Sequence, residues 1–227
     1  MRVLSCVLLA AAVSATPINP LTAQATPALI DAMCAKLAQP ALSKYTEDFI
    51  REPACSLNAQ QKQDVCDFSN KFHSCQSGDA IPHSVPEMTA LLKEKVPSVV
   101  DIFSKTYGEG IKRYQTTTPE AQAFIKKWHD EAWKHVDCDR AAMFLSAFKQ
   151  AYAFVTDASN LSADAWASIQ NAFPGFFNAW NSNDAQVMVK IIKNLGPDHD
   201  YAADPDTMKQ FLDMAMKKFM PEQTGSR

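Results

Sequence analysis

The sequence predicts an all-α protein, and two kinds of pattern along its 227 residues support this. Pairs such as Thr26-Pro27, Thr118-Pro119 and Asp204-Pro205 place a capping side chain before a proline, which is tolerated at the first helical position. Between these starts, apolar residues recur at i, i+3, i+4 and i+7, the spacing of one helix face. No window alternates with a period of two, as a half-buried strand would.

Residues 1–15 are predicted to be a secretory signal peptide. Arg2 precedes an apolar run, and the small residues Val13 and Ala15 precede the expected cleavage point. The run is too short to span a bilayer, and no later segment offers a long uncharged apolar stretch. We therefore expect a soluble, secreted protein and exclude these residues from the fold.

The remaining chain is divided into one helical domain with an addition at each end. Residues 16–56 form a cysteine-bearing extension, residues 57–196 a compact multi-helix domain, and residues 197–227 a loop and an extra helix. The extension contains a helix from the Thr26 cap and another near residues 43–51. In the main domain, the patterns predict helices near residues 58–76, 86–96, 98–114, 119–136 and 141–155, one capped by Ser162, a short one from Pro174, and one that ends at Gly196.

The cysteines indicate disulfide bonds, since the chain is expected to be exported. If residues 58–76 form one helix, Cys66 and Cys75 lie roughly 13.5 Å apart along it, too far for a bond that needs about 4.4–6.8 Å. Cys55 and Cys75 then lie at opposite ends of the helix. We expect Cys34 to pair with one of these three. We expect Cys138 to be the unpaired thiol, because it lies outside the cluster.

Composition and motifs favour a non-enzymatic protein. The formal net charge is −3, with no basic cluster that would indicate a nucleic acid. The chain has no G-x-S-x-G nucleophile motif and no cysteine-protease signature. His129 and His135 are six residues apart, which is the wrong spacing for one metal, and the run Asp198, His199 and Asp200 is more typical of a solvated loop. We therefore predict no catalytic residue, metal or cofactor.

The aromatic content is the strongest signal left. The stretch 160–180, NLSADAWASIQNAFPGFFNAW, is crowded with large rings, and its first residue, Asn160, begins a glycosylation triplet. Several helices also carry apolar residues beyond a single stripe, such as Trp133 and Phe154. Such helices are apolar on two faces, which fits either a central helix buried on all sides or a cavity between helices.

Two segments resemble the nematode fatty-acid- and retinol-binding proteins. The first, LKEKVPSVVDIFSKTYGEGIKRYQTTTPEAQAFIKKW at 92–128, has the lysine-flanked helix junction of that family and its EAQAFI helix. The second, at 148–174, has a helix, an LS-type cap and a helix ending in Phe-Pro. The matching residues are Lys93, Lys95, Pro97, residues 120–125, Tyr152, Leu161, Ser162, Phe173 and Pro174.

The resemblance implies an all-α fold with an internal apolar cavity, secretion, and fatty acids or retinol as ligands. On this basis we predict a cavity wall of stripe residues on the covered helices. They are Phe103, Tyr107, Phe124, Ile125, Trp128, Phe144, Leu145, Phe148, Tyr152, Trp166, Ile169, Phe173, Phe177 and Ile191.

A fatty-acid ligand would bring a carboxylate, which is costly to bury unpaired. We therefore expect its head group at the cavity mouth beside a cation. The lysines and arginines near the predicted cavity are Lys112, Arg113, Lys126, Lys127 and Arg140. Arg113 is the first choice and Lys127 the second, because a guanidinium can bind a carboxylate through two hydrogen bonds.

An alternative function of another class stays open at this point. A disulfide-stapled secreted helical protein could instead act by binding another protein, with no lipid ligand. Two further partners are expected, a membrane that is contacted transiently and a second chain joined through the unpaired cysteine.

Overall fold

The computed structural model describes residues 24–211 except 77 and 79, so the predicted signal peptide and residues 212–227 lie outside it. Within the described residues the chain is helical with no strand, which confirms the all-α class. A 3₁₀ turn at Pro97–Val99 precedes the sixth helix. The helices are α1 (Pro27–Leu37), α2 (Pro40–Ser43), α3 (Asp48–Cys55), α4 (Ala59–His73), α5 (Val85–Lys95), α6 (Val100–Gln115), α7 (Pro119–Lys134), α8 (Arg140–Lys149), α9 (Ala151–Asn160), α10 (Ala163–Ala172), α11 (Pro174–Trp180), α12 (Asn183–Leu195) and α13 (residues 205–211).

The predicted caps are confirmed. The Thr26 side chain accepts a hydrogen bond from the Leu29 N–H at 3.2 Å. Thr118 caps α7, and Ser162 caps α10. The Asp204 carboxylate accepts from Thr207 N–H at 3.1 Å and starts α13. These bonds satisfy amide groups that a helix leaves without an intrahelical partner at its first turn.

Two predicted helices have different bounds. The helix expected at 43–51 is wrong, because Thr46 and Glu47 lie between α2 and α3 and contact α11 instead. The helix expected at 141–155 is two helices that meet at Gln150, and the second runs on to Asn160. Helix α4 ends at His73, and Cys75 beyond it adopts a left-handed backbone with φ of 56°.

Two disulfides cross between elements, and one corrects a prediction. Cys34 bonds to Cys55, which is one of the three partners expected for it. Cys75 bonds to Cys138, so the prediction that Cys138 is unpaired was wrong. The fold brings the end of α4 beside the α7–α8 turn, where a ring nitrogen of His73 lies 2.9 Å from the Cys138 carbonyl oxygen. Cys66 does not bond to Cys75, as predicted.

Cys66 is the free cysteine among the described residues, and it is only 1% exposed. Burial raises the pKa of its thiol. It packs with Ala25 and Ile30, at the start of α1. The predicted intermolecular disulfide stays a prediction, and it would require the Cys66 sulfur to become exposed.

Residues before the main domain pack directly onto it. The Asn70 side chain forms two hydrogen bonds with the Ala25 backbone, at 2.7 and 2.9 Å. Lys62 forms an ion pair with Asp31 at 2.5 Å. These contacts attach α1 to α4, while the predicted division at residues 56 and 57 stays a prediction.

Large apolar side chains form three clusters that we name by position. The amino-terminal cluster joins α4, α5 and α6 around Leu92, Val96, Val99 and Val100. The central cluster joins α7, α9 and α10 around Phe124, Trp128, Ile169 and Phe173. The carboxy-terminal cluster joins α9, α12, α13 and the loop before α13 around Val155, Ile192, Tyr201 and Phe211. None of the described helices has both the length and the apolar content needed to cross a bilayer.

Candidate functional site

The central cluster presents a half-buried aromatic surface. Trp166 of α10 stacks on Trp180, with ring centroids 5.6 Å apart, and on Phe176 at 6.2 Å. Phe177 meets the same indole edge-on at 6.0 Å. Phe173 ends α10 and Pro174 begins α11, so this break folds the α11 rings back over Trp166. All four of these rings are only partly covered.

Hydrogen bonds hold two of the three indoles of the central cluster in place. The Trp166 ring N–H donates to the Ala158 carbonyl oxygen at 3.1 Å. The Trp128 ring N–H donates to the Asp157 carboxylate at 3.0 Å. Since both polar atoms are satisfied, the ring faces remain available for apolar contacts.

Phe154 and Trp180 belong to both the central and the carboxy-terminal clusters, and their ring centroids are 6.0 Å apart. Phe154 also contacts Trp128 at 5.1 Å and Phe124 at 5.7 Å. The two clusters therefore form one continuous apolar region from α7 to α13. This region is the candidate functional site.

At the carboxy-terminal end of this region, Phe148 stacks on Phe211 at 5.2 Å and lies 5.7 Å from Tyr201. Tyr201 is 3% exposed. Its hydroxyl has no hydrogen-bond partner among the described residues. Burial raises the pKa of Tyr201, so the hydroxyl is neutral.

The predicted wall residues are divided among the clusters. The structure places Phe103 in the amino-terminal cluster and Tyr107 beside His129, with ring centroids 6.3 Å apart. The remaining residues lie along the candidate site, Phe124, Ile125, Trp128, Trp166, Ile169, Phe173 and Phe177 at its central end, and Phe144, Leu145, Phe148, Tyr152 and Ile191 at its carboxy-terminal end. Their contact with a ligand stays a prediction.

Sequence patterns did not indicate the residues that join the two ends of the site. Phe154 lies off the stripe of an assumed helix 141–155, but the break at Gln150 separates α9 from α8. Trp180 was in the aromatic stretch but on no predicted stripe. Tyr201 and Phe211 lie beyond the segment that the resemblance covers. The sequence signal that points to this region is the helix capped by Asp204.

Arg113, the first candidate for the head group, already has intramolecular partners. Its guanidinium contacts the Glu109 carboxylate at 3.3 Å and the Glu47 carboxylate at 3.8 Å. It also donates to the Ala172 carbonyl oxygen at 3.4 Å and lies over the Phe49 ring, 4.4 Å from its centroid. The side chain remains 32% exposed.

The other candidate cations are paired as well or lie inside the fold. Lys127 forms an ion pair with Asp157 at 2.6 Å, and Lys126 forms one with Asp130. The Lys112 ammonium is 3.8 Å from a Glu109 oxygen. Arg140 is 8% exposed, which does not match a position at a cavity mouth. A ligand carboxylate at Arg113 or Lys127 would therefore replace a carboxylate of the protein.

A buried carboxylate holds the start of α11. Glu47 is 4% exposed, and its Oε1 accepts a hydrogen bond from the Phe176 N–H at 2.9 Å. Its Oε2 is buried without a hydrogen bond and lies near Arg113. Burial raises the pKa of Glu47 despite this hydrogen bond and the arginine. Gly175 permits the approach, because a Cβ there would lie 2.6 Å from the Thr46 carbonyl carbon.

One chain of polar side chains has the composition of a catalytic triad but not its geometry. Ser146 Oγ is 2.6 Å from His135 Nδ1, and His135 Nε2 is 3.2 Å from Glu131 Oε1. In serine hydrolases the serine meets Nε2 and the acid meets Nδ1, the opposite arrangement. Ser146 also lies inside α8 instead of on a strand-to-helix turn. The arrangement gives no support to a hydrolase.

The groups with metal-ligand chemistry have other roles in the described residues. Cys75, Asp137 and Cys138 lie together, but the two sulfurs are bonded to each other. His199, from the acidic loop, pairs with Asp204 at 3.1 Å. Asn160, the glycosylation candidate, is exposed at the end of α9, and its modification stays a prediction.

Comparison with known families gives one match. A model of the family described as nematode fatty acid retinoid binding protein matches residues 48–192. No curated protein and no solved structure matches the chain. The matched segment begins at α3 and ends within α12, so Glu47, Tyr201 and Phe211 lie outside it.

Proposed function

Since the chain belongs to the nematode fatty acid retinoid binding proteins, we propose that it is a secreted carrier for fatty acids and retinol. The ligand tail lies in an apolar cavity between the helices, along the candidate site. The predicted signal peptide supports secretion, and the family supports the ligand class. Membership also favours this function over the alternative of a protein-binding module without a lipid.

The observation that carries the proposal is the continuous apolar region that the two clusters form through Phe154 and Trp180. Its central rings are only partly covered, although rings of this size bury well in a closed core. A lipid tail along them would remove apolar area of both partners from water. Each buried methylene contributes roughly 0.8 kcal/mol, so the tail supplies most of the affinity.

The head group of a fatty acid has a smaller role. Arg113 and Lys127 are exposed enough to meet a carboxylate at the edge of the site, at 32% and 58% of their side chains. Because each already pairs with a carboxylate of the protein, a ligand replaces one ion pair by another. An exposed pair of this kind contributes about 0–1 kcal/mol.

Two measurements test the proposal. Organic extraction of the purified protein should release co-purified lipid. Titration with a fluorescent fatty acid should saturate, and oleate or retinol should displace the probe. Trp166→Leu should weaken binding, whereas Val187→Ala should not, because Val187 is exposed and outside the site. The absence of both extracted lipid and saturable binding would overturn the proposal.

A further inference from the structure

The Tyr201 hydroxyl is a buried polar group without a partner. The side chain lies in the carboxy-terminal cluster at 3% exposure, and its oxygen makes no hydrogen bond within the described residues. Buried hydroxyl groups nearly always form a hydrogen bond, since burying one without a partner costs free energy. An unpaired one at the end of a candidate lipid site indicates a group that a ligand satisfies.

Its surroundings define what the group can recognise. The phenol ring is held by Phe148 at 5.7 Å and by the edge of His199 at 4.7 Å. Half-buried apolar residues, among them Tyr152 and Ile191, pack against the same cluster. A neutral hydroxyl both donates and accepts one hydrogen bond well.

Burial disfavours a carboxylate at Tyr201. The residue is 3% exposed, so a fatty-acid carboxylate beside its hydroxyl would lose its hydration. An alcohol avoids that cost, because it brings no charge.

We propose that the Tyr201 hydroxyl binds the hydroxyl end of an alcohol ligand such as retinol at the carboxy-terminal end of the site. This inference rests on the proposed carrier function. Fatty acids then bind with the opposite polarity, with their carboxylate near Arg113 or Lys127. Tyr201 lies outside the segment that the family model matches, so the specificity for an alcohol depends on residues that follow this segment.

The test compares Tyr201→Phe with the wild-type protein for retinol, retinoic acid and palmitate. The variant removes one oxygen and keeps the ring that packs on Phe148. We expect it to weaken retinol binding about fivefold, the value of one hydrogen bond. Binding of the two acids should change less than twofold. Tyr45→Phe is the matched control, because it removes the same oxygen from a tyrosine between α2 and α3, outside the candidate site, and it should leave all three affinities unchanged.

Stability supplies an independent readout. Since the hydroxyl has no partner without ligand, Tyr201→Phe should raise the melting temperature of the lipid-free protein or leave it unchanged. A lower melting temperature, equal loss for all three ligands, or unchanged retinol binding would overturn the inference. Wild-type protein that binds acids but not retinol would overturn the inference alone. Wild-type protein that binds none of the three would overturn the carrier function as well.

Discussion

Gly175→Ala tests the contact that holds α11 over the candidate site. A Cβ at this position would lie 2.6 Å from the Thr46 carbonyl carbon, 2.8 Å from its oxygen and 2.9 Å from the Glu47 nitrogen. All three are backbone atoms, so no side-chain rotation relieves the clash. Carbon atoms pack at about 3.5 Å, and the two segments must therefore separate by about 0.9 Å.

The cost follows from two losses and one gain. Overpacking of this kind costs about 1–3 kcal/mol. The separation also stretches the 2.9 Å bond from the Phe176 N–H to Glu47, and hydrogen bonds to charged groups contribute about 1.5–3 kcal/mol. The higher helix propensity of alanine relative to glycine offsets up to about 1 kcal/mol of this loss. We expect a net loss of about 2–4 kcal/mol in the free energy of unfolding.

Urea unfolding followed by circular dichroism measures this loss, and Gly108→Ala is the control. Gly108 lies inside α6, and a Cβ there would meet nothing within 4 Å. This variant should gain about 0.5–1 kcal/mol. Under conditions where both variants are folded, only Gly175→Ala should weaken retinol binding, because it displaces Phe176 and Trp180. Equal stability of the two variants would refute the reasoning.

Three further predictions concern pH, the disulfide and the ligand tail. Burial raises the pKa of Glu47 above its ordinary 4.5 in the folded chain, so the contribution of Glu47 to stability falls as pH rises from 4.5 through the folded pKa. The melting temperature of Glu47→Gln should therefore increase relative to that of the wild type over this pH range. A difference in melting temperature that stays constant with pH would contradict this. Replacing Cys75 and Cys138 together by serine removes a cross-link over 63 positions and should cost about 4 kcal/mol in urea unfolding, whereas a loss below about 1 kcal/mol would show that the bond adds little. Affinity for decanoic through hexadecanoic acid should rise by up to roughly 0.8 kcal/mol per methylene. Arg113→Ala should cost at most about 1 kcal/mol, and a flat series or complete loss would argue against a tail-driven carrier.

The sequence predicted those parts of the fold that local chemistry determines. A capping oxygen and a following proline act within one helical turn, so Thr26, Thr118 and Ser162 could be assigned without tertiary information. The helix expected at 43–51 failed for the opposite reason. Glu47 interacts with Phe176, 129 positions away, and this contact competes with local helix propensity.

The candidate site was predicted as a set of stripes but not as one surface. Stripe spacing indicates which face of a helix is apolar, and most of the wall residues do lie along the site. It does not say which helices meet, so Phe103 was grouped with residues of other clusters. The pairing of Cys138 was missed similarly, because its distance from Cys75 along the chain says nothing of their distance in space.

The rate at which the buried Cys66 is labelled measures the local opening of the amino-terminal helix α1. A thiol reagent reaches its sulfur only in molecules whose Ala25 and Ile30 have moved away, so the labelling rate reports the free energy of that local opening. Labelling that slows when lipid is added would place α1 and the bound ligand in one cooperative unit. Labelling at an unchanged rate would mean that α1 opens independently of the cargo.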